Sequence, residues 1–592
     1  MTATRESRGM LDATASAVVN GPEDVVLDWL SIDWRRVEAN VTRLRQRIFT
    51  ASRDGDLNKV RDLQKLMLRS RSNALVSVRR VAEINAGRLT AGIDGATALL
   101  PSQKAELANW VQRLSASWTP QPVRRVFIPK GNGKQRPLGI PVIADRALQA
   151  AVLNALEPEW EARFEPRSYG FRPGRSCHDA IAAIFSTCKG PRPTRVWVLD
   201  ADLAAAFDRI DHHHLLSQLG TFPARGRIAG WLRAGVVDRG RFAPTEEGTP
   251  QGGVISPLLL NVALHGMEHA AGVRFQSGSR AGLVREQSPV LIRYADDFVV
   301  LARTRDEIEQ IKAQLAEWLA PRGLAFNEDK TRVVHLDDGF DFLGFHVRRY
   351  PNGKLLIKPS PAAVMRFRKR LRTEMRAVRG GNAATVIARL NPILRGWAAY
   401  YRIGVAKDVF ASIDHYVWWL TFKWAVHGHR NKPRKWVKAR YYGMFHPTRR
   451  DRWVFGDRAT GAYLIKIVWT PIVRHYMVAS TASPDDPELV DYWAARRRLR
   501  KPPLNRQGMI QLQQQHGSCP VCGGLLLHAD TEPQTSGEWE LWLKTVRHAV
   551  RRKAITEQTG TGDRSNASAL VHTHCARQYQ SLLQTPRPFG LA

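Results

Sequence analysis

One stretch constrains this chain more than any other: Arg293-Tyr294-Ala295-Asp296-Asp297-Phe298-Val299-Val300-Leu301. Two carboxylates stand side by side between apolar, β-branched flanks, with Leu291-Ile292 before them and Phe298 to Leu301 after. Such flanks read as two strands, and Tyr-Ala-Asp-Asp as the turn of a hairpin. A bare pair of ionised carboxylates repels itself and gains nothing from burial. Hard oxygen ligands suit Mg²⁺, so a divalent cation is the natural partner. Four residues alone leave a second reading open, a solvated Asp-Asp turn.

The charge balance points the same way. Lys and Arg number 89 against 54 Asp and Glu, a net charge of +35 and a pI near 10.7. Arg-rich segments recur from residue 34 to 553, so the excess is not one basic tail. A basic surface spread over roughly three to five domains implies a polyanionic partner, most simply nucleic acid. The start of the chain has no apolar core of signal-peptide length, and no run is apolar enough to span a membrane. Five cysteines (Cys177, Cys188, Cys519, Cys522, Cys575) do not form a disulfide framework. A cytoplasmic, nucleoid-associated protein with no membrane partner is therefore expected.

In chain order, residues 1–30 lack periodicity and are expected to fray. Trp34 to Ile48 has the pattern of a basic amphipathic helix. Asp56 to Val81 reads as another, with Val60, Leu63, Leu66 and Leu68 on roughly one side and Arg69, Arg71, Arg79 and Arg80 among them. This layer either grips RNA or is an ordinary solvated face. Pro122 to Pro141 reads as a basic hairpin. A strand at Val126 to Ile128 enters a Gly-Asn-Gly turn, and Lys130, Lys134 and Arg136 lie at the tip, suited to a triphosphate or a nucleic-acid backbone. Asp145 to Leu156 looks helical. Val196 to Leu199 reads as a buried strand, with Asp202 just past its end and Phe207 five residues on. Gly248 to Asn261 is a Gly-rich turn containing Gln251 that runs into an apolar helix; its backbone amides can reach a base pair or phosphate. Arg305 to Leu319 is an amphipathic helix with Ile308, Ile311, Leu315 and Leu319 on one face. A strand at Val333-Val334 and the block Phe340 to Phe345 follow.

The order of these blocks resembles the group II intron reverse transcriptase/maturase family. Five matches carry the resemblance over residues 86–346. They are Ile-Pro-Lys130…Arg136-Pro-Leu-Gly-Ile-Pro, Asp202…Phe207-Asp208-Arg-Ile-Asp211-His212, Gly-Thr-Pro-Gln251-Gly-Gly-Val-Ile-Ser-Pro, Tyr-Ala-Asp296-Asp297, and Asn327…Lys330-Thr331 with Phe-Leu-Gly344-Phe. The resemblance implies an α+β right-hand polymerase with fingers, a palm built on an antiparallel sheet and a helical thumb. It implies a two-metal Mg²⁺ site at Asp202 and Asp296 with Asp297 as third acid, which fits primer 3′-OH activation and pyrophosphate departure. Lys130 and Arg136 would grip the incoming dNTP, and Gln251 would lie near nucleotide and template. The Phe207 ring would disfavour a ribose 2′-OH, which argues against an RNA-templated RNA polymerase. Lys330 would neutralise phosphate charge. One departure stands out: Ala204-Ala205 replace the Lys-Gly pair frequent in the family.

Further on, Met365 to Arg376 is a dense basic helix. Leu390-Asn-Pro-Ile-Leu-Arg-Gly-Trp397-Ala-Ala-Tyr400-Tyr401-Arg402 looks like the family's maturase signature, with Trp397 and Tyr400 expected to be packed and a basic face left for intron RNA. Arg434 to Tyr442 and Ile472 to Asp486 also match the family, with contact to a DNA target implied. Arg496 to Pro503 reads as a linker. Near the C-terminus, Cys519-Pro-Val-Cys522 with His572-Thr-His-Cys575 has structural zinc spacing, and His574 competes with His572 as fourth ligand. The placement resembles an HNH-like (ββα-metal) endonuclease module. There His548 and Asn566 are the candidate nuclease residues, but Ala576 replaces the final His and Arg547 the first His of the pair. Without those ligands DNA cleavage is expected to be weak or absent.

The expected divisions are 1–85 N-terminal helical extension, 86–346 fingers and palm, 347–440 thumb, 441–505 DNA-binding region and linker, and 506–592 zinc-binding HNH-like module. The expected function is RNA-directed DNA polymerisation, joined to maturase binding that promotes intron splicing and to retromobility by target-primed reverse transcription. A domesticated reverse transcriptase, or an RNA-binding splicing cofactor without mobility, is the alternative. The cognate intron, the DNA target and the oligomeric state do not follow from the sequence.

Overall fold

The computed structural model describes residues 27–113, 117–129, 135–190, 193–277 and 283–498. Beyond these it describes isolated positions and one antiparallel strand pair, 555–559 with 568–572. The basic hairpin forms as expected from β1 (Val123–Pro129) and β2 (Gln135–Ile140), with its tip, residues 130–134, outside the described residues. After β3 (Trp197–Asp202), two short strands, β4 (Val236–Asp238) and β5 (Arg241–Ala243), complete the hairpin's sheet in the order β2-β1-β4-β5.

The second sheet carries the acids. It contains β3, β6 (Val290–Tyr294), β7 (Asp297–Ala302) and β8 (Arg332–His335), in the order β6-β7-β3-β8 and antiparallel throughout. Its strands are apolar on both faces, and alternation sorts their side chains into two cores. Leu199, Leu291, Phe298 and Val300 face one core, and Val198, Ile292, Val299 and Leu301 the other.

The first core reaches the N-terminus. Helices α1 (Trp34–Arg53), α2 (Leu57–Arg69) and α3 (Arg71–Arg79) pack Val41, Ile48, Val60, Met67 and Val78 around α4 (Ile143–Glu161), which is buried along nearly its whole length. Trp29 belongs to this core and meets Trp34 edge-on at 5.0 Å, so order begins before residue 30. The single helix expected over Asp56–Val81 is two. Ser70 adopts an extended backbone, and its hydroxyl accepts from the Asn73 amide, capping α3. The buried face of α2 is Val60, Leu63, Gln64 and Met67, with Leu66 and Leu68 at its margins, as a 3.6-residue period requires.

The second core packs α5 (Cys177–Cys188) against the sheet. It continues into a three-stranded sheet of β9 (Phe340–Phe342), β10 (Phe345–Arg349) and β11 (Leu355–Pro359), so the division expected at 346/347 falls inside β10. Helix α6 (Ser256–Ala263) follows the Gly-rich turn, and α7 (Arg305–Leu319) buries its four expected apolar residues in the first core. Then come α8 (Pro361–Ala377), α9 (Ala383–Tyr401), α10 (Lys407–Gly428) and α11 (Arg434–Tyr441). Trp397 stacks on Phe367 at 4.6 Å, and both Trp397 and Tyr400 are buried.

From Thr470 onward the chain runs back across the molecule to α12 (Val490–Arg498). Arg175 donates to the Ser480 and Ala482 carbonyls, and Trp493 lies against Gly174. Arg45 of α1 donates to both Asp485 oxygens at 2.7 Å and to Glu157 at 2.7 Å. The residues read as a linker begin inside this strap. Arg496 is buried and donates to Asp179 at 3.0 Å. Burial opposes the Asp179 carboxylate, but the hydrogen bond from His475 and the charges of His475 and Arg496 outweigh it and hold the carboxyl well below its usual range. A buried carboxylate recruits its cation across any sequence distance, which local composition does not reveal.

Candidate active site

Asp202 is the last residue of β3, not a residue beyond it, and Asp297 is the first of β7. The two are direct cross-strand partners. The hairpin turn is only Ala295-Asp296, because Tyr294 and Asp297 already pair. Three carboxylates are thereby gathered at one end of a rigid sheet.

The turn is held under strain. Ala295 takes φ +60°, a conformation costly for a residue with a Cβ. Arg293, 1% exposed, braces it by donating to the Ala295 carbonyl at 3.3 Å and to Asn261 Oδ1 at 2.9 Å. Asn261 in turn donates to the Gly170 carbonyl at 2.9 Å. Gly170 lies so close that a Cβ there would stand 2.2 Å from the Ala295 nitrogen. Beneath it, Arg172 bonds both Glu161 oxygens at 2.9 Å and the Glu165 and Ser168 carbonyls at 2.8 and 3.0 Å.

The acids repel one another. Burial first, then the charges of Asp296 and Asp202 and a hydrogen bond with Asp202, push the Asp297 carboxyl well above its usual range. Burial and Asp202 also raise Asp296, with Arg136 and Lys330 opposing. Asp200, two residues back on β3, is pushed up to about 7 by burial, Asp341 and Asp202. Lys330 makes a short contact from Nζ to Asp202 Oδ2, and that hydrogen bond raises the ammonium above its ordinary range. Asn327 donates its backbone amide to the Asp202 carbonyl at 2.8 Å. Lys330 thus rests on one of the acids.

The donor set, hard carboxylate oxygens whose repulsion a cation would relieve, suits Mg²⁺. As they lie, no three or more His, Cys, Asp or Glu among the described residues stand ready to hold an ion, and Lys330 supplies the counter-charge on Asp202.

Other expected residues converge here. Phe207 is buried and meets Phe171 edge-on at 6.0 Å. Its carbonyl accepts from the Thr249 amide at 2.6 Å, which ties it to the Gly-rich turn. Gly252, at φ +124°, packs where a Cβ would lie 2.6 Å from the Gly139 carbonyl. The Gly139 amide donates to the Gln251 carbonyl at 2.7 Å. Gln251 is thus fixed to β2, the strand that carries Arg136, and its Oε1 is buried with no hydrogen-bond partner among the described residues. Lys130 lies outside the described residues.

The departure at Ala204-Ala205 has a structural cost. Ala205 takes φ +48° where the resemblance implies glycine. Ala205→Gly is expected to stabilise the fold by about 0.5–1 kcal/mol, read as a higher urea midpoint at unchanged slope.

Arg293, Asn261, Asn327 and Asp200 were given no role from sequence. A cation inside a fully apolar strand was the visible signal for Arg293; the others are brought in by tertiary contacts. Of the C-terminal candidates, Cys519 is buried. Only the backbone of His572 is described, ending the second strand of the pair. Cys522, Cys575, His574, His548 and Asn566 lie outside the described residues.

Three family descriptions match in chain order. "N-terminal domain of reverse transcriptase" covers residues 29–111, "Reverse transcriptase (RNA-dependent DNA polymerase)" covers 128–347, and "Group II intron, maturase-specific domain" covers 364–442. The chain is similar to Protein YkfC of Escherichia coli (strain K12), 37% identical over 310 residues that cover 46% of this chain and 80% of that protein. It is similar to Group II intron-encoded protein LtrA of Lactococcus lactis subsp. cremoris, 30% identical over 329 residues, with 46% of this chain and 54% of that protein covered. It therefore spans about half the length of LtrA. Maturase-like protein 1 of Euglena gracilis is 26% identical over 385 residues, covering 64% and 79%. With the acids gathered as this fold gathers them, the chain belongs to the group II intron reverse transcriptase/maturase family.

Proposed function

We propose that this chain copies RNA into DNA and binds the RNA of a group II intron as a maturase. The observation that carries the polymerase reading is the cross-strand pairing of Asp202 with Asp297 beside Asp296, at the end of a sheet packed on both faces. In this reading the β1–β2 sheet serves as fingers, the sheet of β3 and β6 to β8 as palm, and α8 to α11 as thumb. Asp202, Asp296 and Asp297 would hold Mg²⁺, which would supply activation of the primer 3′-OH and neutralisation of the departing pyrophosphate.

The chain's own residues do the rest. Lys330 leaves Asp202 for the phosphates when its counter-charge is no longer needed there. Arg136 and Lys130 grip the triphosphate as charge-assisted donors. The buried Gln251 Oε1 is an acceptor awaiting a donor from nucleotide or template. Phe207, met edge-on by Phe171, would set its ring against a ribose 2′-OH. Extension of a DNA primer on an RNA template with dNTPs, but not NTPs, tests this. Phe207→Ala is expected to raise ribonucleotide use relative to deoxynucleotide by about 10- to 100-fold. No extension by a chain that still binds template RNA would overturn the polymerase reading.

We also propose a structural zinc ion at Cys519, Cys522, His572 and Cys575 in an HNH-like module whose cleavage of a DNA target is weak or absent. The ligand spacing supports the first part, and the absent His ligands support the second. Retromobility and a nucleoid-associated location follow from the same family reading.

A further inference from the structure

Between α8, α10 and α11 lies an open cavity of about 1040 Å³. Its wall carries Arg372, Arg376, Arg379, Lys423, Arg430 and Arg434, and no carboxylate. None of the six is ion-paired among the described residues. The one acid of α8, Glu374, is drawn away to Arg389 of α9 at 2.5 Å. Six like charges around one concavity repel, and burying nothing between them gains no stability. An arrangement of this kind is explained by an anion that enters it.

The aromatic rings say which anion. Trp418 lies parallel to Phe422 at 5.4 Å and contributes to the wall, and its Nε1 is buried with no hydrogen-bond partner among the described residues. Trp419 is 40% exposed, with the Lys423 ammonium 4.2 Å from its ring and the Tyr416 ring near-parallel to it at 6.2 Å. Trp424 is anchored by its Nε1, which donates to the Val378 carbonyl at 3.1 Å. A part-exposed ring beside one cation, in a wall that carries five more, offers aromatic surface for stacking and several donors for phosphate, the combination that unpaired nucleotides use. A duplex keeps its base faces inside the stack and could engage only the cations. Folded RNA exposes such faces in loops and bulges.

We propose that this cavity takes a splayed-out, unpaired segment of RNA, its phosphates among the six cations and one base on Trp419. The proposal rests on the maturase reading and locates one of its contacts away from the three acids.

The test uses the full chain, with binding to a hairpin RNA bearing an unpaired loop, a blunt RNA duplex of matched length, the loop sequence as single-stranded DNA, and an acidic peptide. Trp419→Ala is expected to weaken hairpin binding at least fivefold and duplex binding less than twofold, with Trp419→Phe restoring most of the loss. Arg376→Gln combined with Arg430→Gln is expected to weaken hairpin binding and flatten its salt dependence. Melting curves that match wild type show that each variant folds. Unchanged hairpin affinity in both variants, or tighter wild-type binding of the DNA or peptide than of the hairpin, would overturn the proposal. A chain that loses hairpin binding on Trp419→Ala yet never binds a group II intron RNA would keep the cavity and remove the maturase reading.

Discussion

Asp296→Asn is expected to cut primer extension by about 10³-fold and to leave RNA binding within about twofold. The substitution removes one anionic oxygen donor while keeping shape and volume. The turn itself should persist, because its brace runs from Arg293 to the Ala295 carbonyl and through Asn261 to Gly170, and an Asn side-chain oxygen can still accept the backbone hydrogen bond that the Asp296 carboxyl takes from its own residue. Stability should not fall. Burial and Asp202 raise the Asp296 carboxyl, so its charged form is disfavoured in the folded chain, and that destabilisation grows as pH rises from the unfolded value through the raised one. An uncharged amide removes it. The melting temperature at neutral pH is therefore expected to equal or exceed wild type while single-nucleotide incorporation disappears. Extension retained within tenfold would show that Asp296 is not a metal ligand.

Arg172→Met is expected to destabilise the fold by about 3–5 kcal/mol, because it strands the Glu161 carboxylate in the core. Both side chains are essentially inaccessible, 0% and 1% exposed. Arg172 also satisfies two carbonyls of the loop that presses on the Ala295 turn, so the loss should reach the acids. Adding Glu161→Gln should recover part of the stability, since an amide tolerates burial better than a lone carboxylate. Urea melts of the two single variants and the double variant close the cycle. A single variant within about 1 kcal/mol of wild type would mean that water or another cation reaches Glu161.

The acids and the elements bearing them were legible from sequence because each is marked locally. β-branched runs give β3, β6 and β7, and a 3.6-residue period gives α7. Gly-rich turns mark where backbone must approach backbone, as Gly252 does to Gly139. What the sequence hid is non-local. Nothing near Arg293 announces Asn261, and nothing near Asp179 announces Arg496. The break at Ser70 was hidden because both halves of the stretch carry helical periodicity, and one hydroxyl hydrogen bond decides the interruption. The pairing of Lys330 with Asp202 was hidden because it spans 128 positions.

The strap that joins Arg45 to Asp485 sets an order of events during synthesis. The two residues are 440 positions apart, and at ribosomal speeds of about 5–20 residues per second that is roughly 20–90 s. Through that interval α1 can dock on α4 with Glu157 as the carboxylate partner of Arg45. The N-terminal helices are then closed by residues that emerge after the whole polymerase body. A truncation between α11 and Asp485 would preserve every acid of the catalytic turn and still leave the first helix without its final partner. The strap therefore acts as a seal, added after the polymerase body, that tells a chain that has passed Asp485 from one interrupted before it.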